Sequence, residues 1–251
     1  MNSVESEPMG VHLLGGFRAA IGRQTLPLRP STERVVAFIA LRGPRMRSDL
    51  VTALWPDTPF PRALSTLRTV LWRLREDAPG LMCQTSKIMA LRAESDVAMV
   101  RDWATGALDR SRDSSRYPAN LGEDLLPGWD DGWLIEEREE LKLLQLSALE
   151  TLAQRYLVEN RLAEATRAAM AAVKIDPLRQ SANRLLIETH IRQGNEREAY
   201  LRYQRYQSTL MTDVGLPVGP ELTSLVASVL RNRSVPESRP RHGAETLPRR
   251  G

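Results

Sequence analysis

The chain has 251 residues, 42% of them apolar, enough for at least one substantial core, yet its longest strongly apolar run, VVAFIAL at 35–41, is far too short to cross a bilayer. Cys83 is the single cysteine, which excludes an intramolecular disulfide and, with the polar and acidic start MNSVESEP in place of a secretory signal, fits a cytoplasmic protein. The net charge of +4 is uneven: residues 29–92 carry 11 Arg and Lys against 5 Asp and Glu, residues 93–230 carry 16 against 22, and residues 231–251 carry 6 against 2. A basic first half and an acidic second half suggest two domains with different partners. The basic half suits a polyanion, although charge alone fits a merely soluble basic surface equally well.

In chain order, residues 1–9 are expected to be disordered. Residues 11–28 read as short strands, broken by turns at Gly15-Gly16 and Ile21-Gly22-Arg23. Pro30-Ser31 opens a first helix that Gly43-Pro44 ends. Ser48 is a candidate N-cap for a second helix, closed by Pro56. After the loop WPDTPFP comes FPRALSTLRTVLWRLRE, residues 60–76. Ala63, Leu67, Val70, Leu71 and Leu74 form one apolar stripe at helical spacing. The opposite side carries Arg62, Ser65, Thr66, Thr69, Trp72 and Arg73, with Arg68 and Arg75 on the flanks and Glu76 as the one acid of the stretch. Next, LMCQTSKIMALR reads as a hairpin with its tip at Thr85-Ser86-Lys87.

A small sheet, three helices and a hairpin over residues 10–93 outline an α+β winged helix-turn-helix. In that arrangement the third helix enters the major groove of DNA and the hairpin touches the neighbouring backbone. Arg, Ser and Thr reach base edges and phosphates, and phosphate contact requires positive charge without competing acids. Arg68 and Arg75 either contact DNA or bridge to acids such as Glu76 and Asp77. Trp72 is expected to pack against the first helix or the wing, although its spacing puts it on the wet face. Arg45 and Arg47, just before the second helix, either meet phosphate or are simply exposed.

Residues 94–232 read as an all-α unit. Ser95-Asp96 can cap a helix, a polar segment follows from Asp109, and a long helix starts near Trp133, with Glu136, Glu137, Glu139 and Glu140 favoured in its early turns by the macrodipole. A shift of 34 residues then realigns Leu144 with Leu178, Leu152 with Leu186, Leu157 with Ile191, Asn160 with Gly194 and Ala165 with Ala199. That is the tetratricopeptide period, and such helix pairs stack to present a concave surface for proteins or peptides. Val218-Gly219-Pro220 starts a last helix. The tail 233–251 is expected to be a disordered basic segment.

Catalysis finds little support. His12, His190 and His242 lie far apart, no Cys/His cluster has metal spacing, and no nucleophile elbow, phosphate loop or dinucleotide fingerprint occurs. No enzyme activity, metal or cofactor is expected.

The stretches LLGGF (13–17), ALWP (53–56), RALSTLRTVLWRLR (62–75), LLPGWDDGWL (125–134) and KIDPLRQSANRLLI (174–187), in this order and spacing, resemble the SARP regulators, the Streptomyces antibiotic regulatory protein family. These pair an OmpR/PhoB-type winged helix with a bacterial transcriptional activation domain. The resemblance implies a DNA-binding activator of secondary-metabolite genes. It implies side-by-side protomers on direct repeats in promoters, a homodimer on DNA, and recruitment of RNA polymerase. It puts Arg62, Ser65, Thr66, Arg68, Thr69 and Arg73 on the recognition helix and Ser86 and Lys87 on the wing. It gives the loop Pro56, Asp57, Thr58, Pro59 and Phe60 to polymerase contact. A repressor with the same contacts, or a tetratricopeptide-type adaptor, remains the other reading.

Overall fold

The computed structural model describes residues 8–85, 87–109 and 114–232. Strands β1 (Met9–His12), β2 (Arg18–Ile21) and β3 (Gln24–Leu26) form an antiparallel meander. Three helices follow: α1 (Pro30–Arg42), α2 (Arg47–Leu54) and α3 (Phe60–Asp77). Strands β5 (Met82–Thr85) and β6 (Ile88–Leu91) make the hairpin, and the two-residue strand β4 (Arg45–Met46) pairs along its other edge in the order β4-β6-β5. The remaining elements are β7 (Glu94–Ser95), α4 (Asp96–Asp109), α5 (Trp133–Val158), α6 (Leu162–Ile175), α7 (Gln180–Arg192), α8 (Glu196–Asp213) and α9 (Pro220–Asn232). The expected winged helix followed by helical repeats is therefore the fold.

Local chemistry accounts for most boundaries. Pro30 and Pro61 lie in the first turns of α1 and α3, where a missing N–H costs nothing. Ser95 caps α4 by accepting from Ala98 N at 3.0 Å. Ser48 is not a cap: α2 starts one residue earlier, at Arg47, and the Ser48 hydroxyl bonds instead to Asp49 Oδ1. The strand register of Arg45 and Met46 against Met89 and Ile88 holds Met46 extended and fixes that start. Asn160 (φ 58°) and Gly194 (φ 74°) occupy the same left-handed position after α5 and α7, which is why the 34-residue shift aligns them. Ala165, Ala168, Ala169 and Ala172 are fully buried, so α6 sits close against its neighbours. Tyr206 is buried beside α9, and Tyr203 meets the Thr223 hydroxyl at 3.2 Å.

The cores do not respect residue 93. One cluster joins Ala63, Leu67 and Val70 of α3 to Val35, Phe38 and Ile39 of α1 and to Leu50 and Leu54 of α2. A second joins Val11, Leu13, Val36, Leu41 and Leu74 to Val97, Val100, Leu125, Leu126, Leu134 and Leu141. Strand β7 extends the first sheet by pairing parallel to β1, giving the order β3-β2-β1-β7. LLGGF and LLPGWDDGWL lie against each other. Leu14 bridges Leu125, Leu126 N donates to Leu13 O at 2.9 Å, and Phe17 stacks on Trp129 with ring centres 6.1 Å apart. Gly15 N donates to Asp124 O at 2.8 Å, and a Cβ at Gly15 would come within 2.6 Å of the Glu123 carboxylate. Polar anchors complete the seam. Arg34 holds Asp131 through Nε at 2.9 Å and again through Nη2, while Glu137 accepts from Arg42 at 2.8 Å and Arg101 at 2.7 Å. Glu137 is thus a buried joint between the two halves rather than only a helix-start charge.

Candidate nucleic-acid interface

Helix α3 lies on α1 and α2 through Ala63, Leu67, Val70 and Leu74, with Leu64 and Leu71 half-buried at the edges of that contact, so its opposite side faces outward. Arg62, Ser65, Thr66, Arg68 and Thr69 are exposed and Arg73 is half-buried. Among the described residues Arg62, Arg68, Arg73 and Arg75 make no ion pair. Arginines of the helical half, such as Arg161, Arg179, Arg184 and Arg192, are each matched to a glutamate. The alternative of Arg68 or Arg75 bridging to Glu76 or Asp77 is not realised. The hydroxyls of Thr66 and Thr69 donate to Arg62 O and Ser65 O, both at 3.2 Å, so each turns lone pairs outward and is an acceptor as it stands.

A groove of about 300 Å³ separates α3 from the hairpin and is lined by Arg47, Arg68, Trp72, Arg75, Cys83 and Gln84 among others. Arg47, at the first position of α2, donates from Nη2 to Gln84 Oε1 at 2.9 Å, and its buried Nε–H has no partner among the described residues. Three guanidinium groups therefore reach one groove, with no carboxylate on its walls among the described residues. Lys87 is exposed at the hairpin turn, and Ser86 lies outside the described residues.

Arg45 does not join this face. It is half-buried in β4, donates to Pro44 O at 3.0 Å, and opens toward Arg42, Arg101, Glu136, Glu137 and Glu140 on the seam side. Trp72 also differs from expectation. It is 62% exposed instead of packed, because it lies opposite the stripe that touches α1 and α2 and the groove keeps it clear of the hairpin. The segment Pro56, Asp57, Thr58, Pro59 and Phe60 forms a short turn closed by Thr58 N donating to Trp55 O at 3.1 Å; Thr58 is half-buried, and Phe60 is 50% exposed at the start of α3. The part of Gln84 in the groove had no sequence signal, since its contact with Arg47, which the sequence did offer as a phosphate candidate, spans 37 positions. Among the described residues no group of three His, Cys, Asp or Glu side chains could hold a metal ion, and no helix is long and apolar enough to cross a membrane.

Residues 91–230 match the family model for the bacterial transcriptional activator domain. The chain is also similar to the regulatory protein AfsR of Streptomyces griseus, 28% identical over 235 residues that cover 87% of this chain. It spans only 24% of that relative's length. The fold is similar to that of EmbR of Mycobacterium tuberculosis, solved in complex with a low-affinity phosphopeptide, with a TM-score of 0.61, 21% identity, and coverage of 90% of this chain and 66% of that one. At that identity the likeness speaks for the fold. The matched domain takes in more than half of the 251 residues, and the chain belongs to the bacterial transcriptional activator domain family as a SARP-type transcriptional regulator.

Proposed function

We propose that the chain is a sequence-specific DNA-binding activator that docks on tandem direct repeats in promoters as side-by-side protomers and recruits RNA polymerase. The observation that carries this reading is the outer face of α3, where four arginines stand without an ion pair among the described residues, beside a hairpin tipped by Lys87. Unpaired cations gathered on one face are the footprint of a phosphate backbone, and they supply an affinity that falls with salt. Within that face Ser65, Thr66, Thr69 and Arg73 are assigned to base edges. Arg47, Arg62, Arg68, Ser86 and Lys87 are assigned to positioning on the duplex, and Arg45 is left out. The exposed turn Pro56–Phe60 is assigned to polymerase, and the helical half to holding protomers together. Secondary-metabolite genes as targets rest on the SARP likeness alone.

Selection of random duplexes by the full chain at fixed, near-physiological salt tests the reading. A tandem motif should be enriched. Arg73→Ala should relax one position of it at a cost of about 1–3 kcal/mol, while Lys87→Ala should weaken all sequences alike and reduce the salt slope by about one. Equal losses on selected and random DNA for every α3 variant would sink the division of roles.

A further inference from the structure

The chain has five tryptophans. Four are placed by their neighbours: Trp55 packs beneath α2 and α3, Trp103 lies edge-on to Tyr117, Trp129 stacks on Phe17, and Trp133 lies edge-on to Phe38. Trp72 alone belongs to no core cluster, and among the described residues no hydrogen bond or ring contact holds it. It is 62% exposed on the outer face of α3, one turn beyond Arg68 and at the rim of the arginine-lined groove. An exposed ring gives the fold little, and tryptophan is enriched where a surface meets a partner, which makes this basic face the place to look for what Trp72 touches.

The charge of the face selects a nucleic acid, and the chemistry of a stacked duplex narrows the match. Base faces are covered by their neighbours, so a ring entering the major groove finds no aromatic surface to stack on. Apart from ring C–H groups, the base edges there present hydrogen-bond donors and acceptors, and the C5 methyl of thymine is the one alkyl group among them. The indole also has no acceptor, so it cannot take hydrogen bonds from cytosine or adenine amino groups. We propose that Trp72 is a specificity-determining residue that reads a thymine by covering its C5 methyl with the indole ring. This rests on the DNA-binding reading above and adds to it an apolar contact within a face otherwise made of charges and hydroxyls. Discrimination by Trp72 is therefore insensitive to salt, whereas the arginines beside it supply the salt-sensitive part.

The test is a cycle between the side chain and one methyl group. The full chain is bound to a duplex enriched from random sequence, and each thymine of the site is replaced in turn by deoxyuridine, which removes the methyl and keeps every hydrogen-bonding group. At one position the wild-type chain should lose about three- to fivefold in affinity, the worth of one buried methyl group. Trp72→Ala should bind the parent site more weakly, and that same deoxyuridine should then cost it nothing, while Trp72→Phe should keep part of the sensitivity. The loss should be the same at low and high salt. Because the side chain is exposed, the variants should melt with the wild type. Site-selective binding with no coupling between Trp72 and any thymine methyl overturns the proposal and leaves the DNA-binding reading standing. An absence of site-selective binding by the wild-type chain overturns both.

Discussion

The carboxylate of Asp96 accepts hydrogen bonds from Leu13 N at 2.9 Å, Leu14 N at 3.1 Å, Val97 N at 2.8 Å and Asn120 Nδ2 at 3.1 Å, and the side chain is only 8% exposed. One residue at the start of α4 thus satisfies backbone groups at the end of β1 that would otherwise be buried and unpaired. The sequence suggested Asp96 as half of a capping pair. The cap itself is made by Ser95, and Asp96 reaches 83 positions back along the chain. No local pattern encodes that distance. Asp96→Asn would turn an amide N–H toward groups that are already donors, and it should destabilise the chain by about 2–4 kcal/mol, read as a lower midpoint in urea with an unchanged slope. A midpoint within error of wild type would mean that water serves these donors as well as the carboxylate does.

At the scale of elements, α3 was legible because its dry and wet positions are chemically distinct, and its buried set is the predicted stripe except for the half-buried Leu71. The helix pairs α5–α6 and α7–α8 were legible from their period, and the left-handed turn residues Asn160 and Gly194 give that period a backbone cause. The first turns of α5 were read only in part. Four glutamates near a helix start are explained by the macrodipole, yet Glu137 differs from the others in being 6% exposed and shared by Arg42 and Arg101. Arg101 also donates to Leu41 O, so the network fastens the end of α1, the middle of α4 and the start of α5. Glu137→Ala leaves two half-buried guanidinium groups without their shared acceptor. It should cost about 2–3 kcal/mol, less than a fully buried pair because both arginines reach water. Glu136→Ala, at a residue 73% exposed, should change stability by less than about 0.5 kcal/mol, and the difference in urea midpoints between the two variants checks the assignment.

Over the whole molecule, the two halves that differ in charge are joined by a core in which neither half is complete. Val11, Leu13 and Leu41 from the first half share a cluster with Val97, Leu126 and Leu134 from the second, and β7 is a strand of the first sheet contributed from beyond residue 93. Unfolding of the full chain should therefore be one transition, with the tryptophan fluorescence, to which Trp129 and Trp133 at the seam contribute, and the far-ultraviolet dichroism of the helices changing together. A chain ended at residue 93 should show no cooperative melting, because its sheet edge and the underside of α1 would stand open to water. Separate transitions, or a folded fragment, would show that the seam is a contact surface and not a core. Shared cores also bear on how such regulators diversify. DNA-reading modules are commonly imagined as cassettes, exchanged between proteins at linkers. Here the stretches LLGGF and LLPGWDDGWL, more than a hundred residues apart, are two sides of one joint. A chimaera spliced at residue 93 would ask Leu126 and Leu134 of one parent to fill a space shaped by Val11, Leu13 and Leu41 of the other. New binding specificity in this architecture is thus more readily reached by substitution on the outer face of α3, where side chains touch no core, than by recombination of its halves.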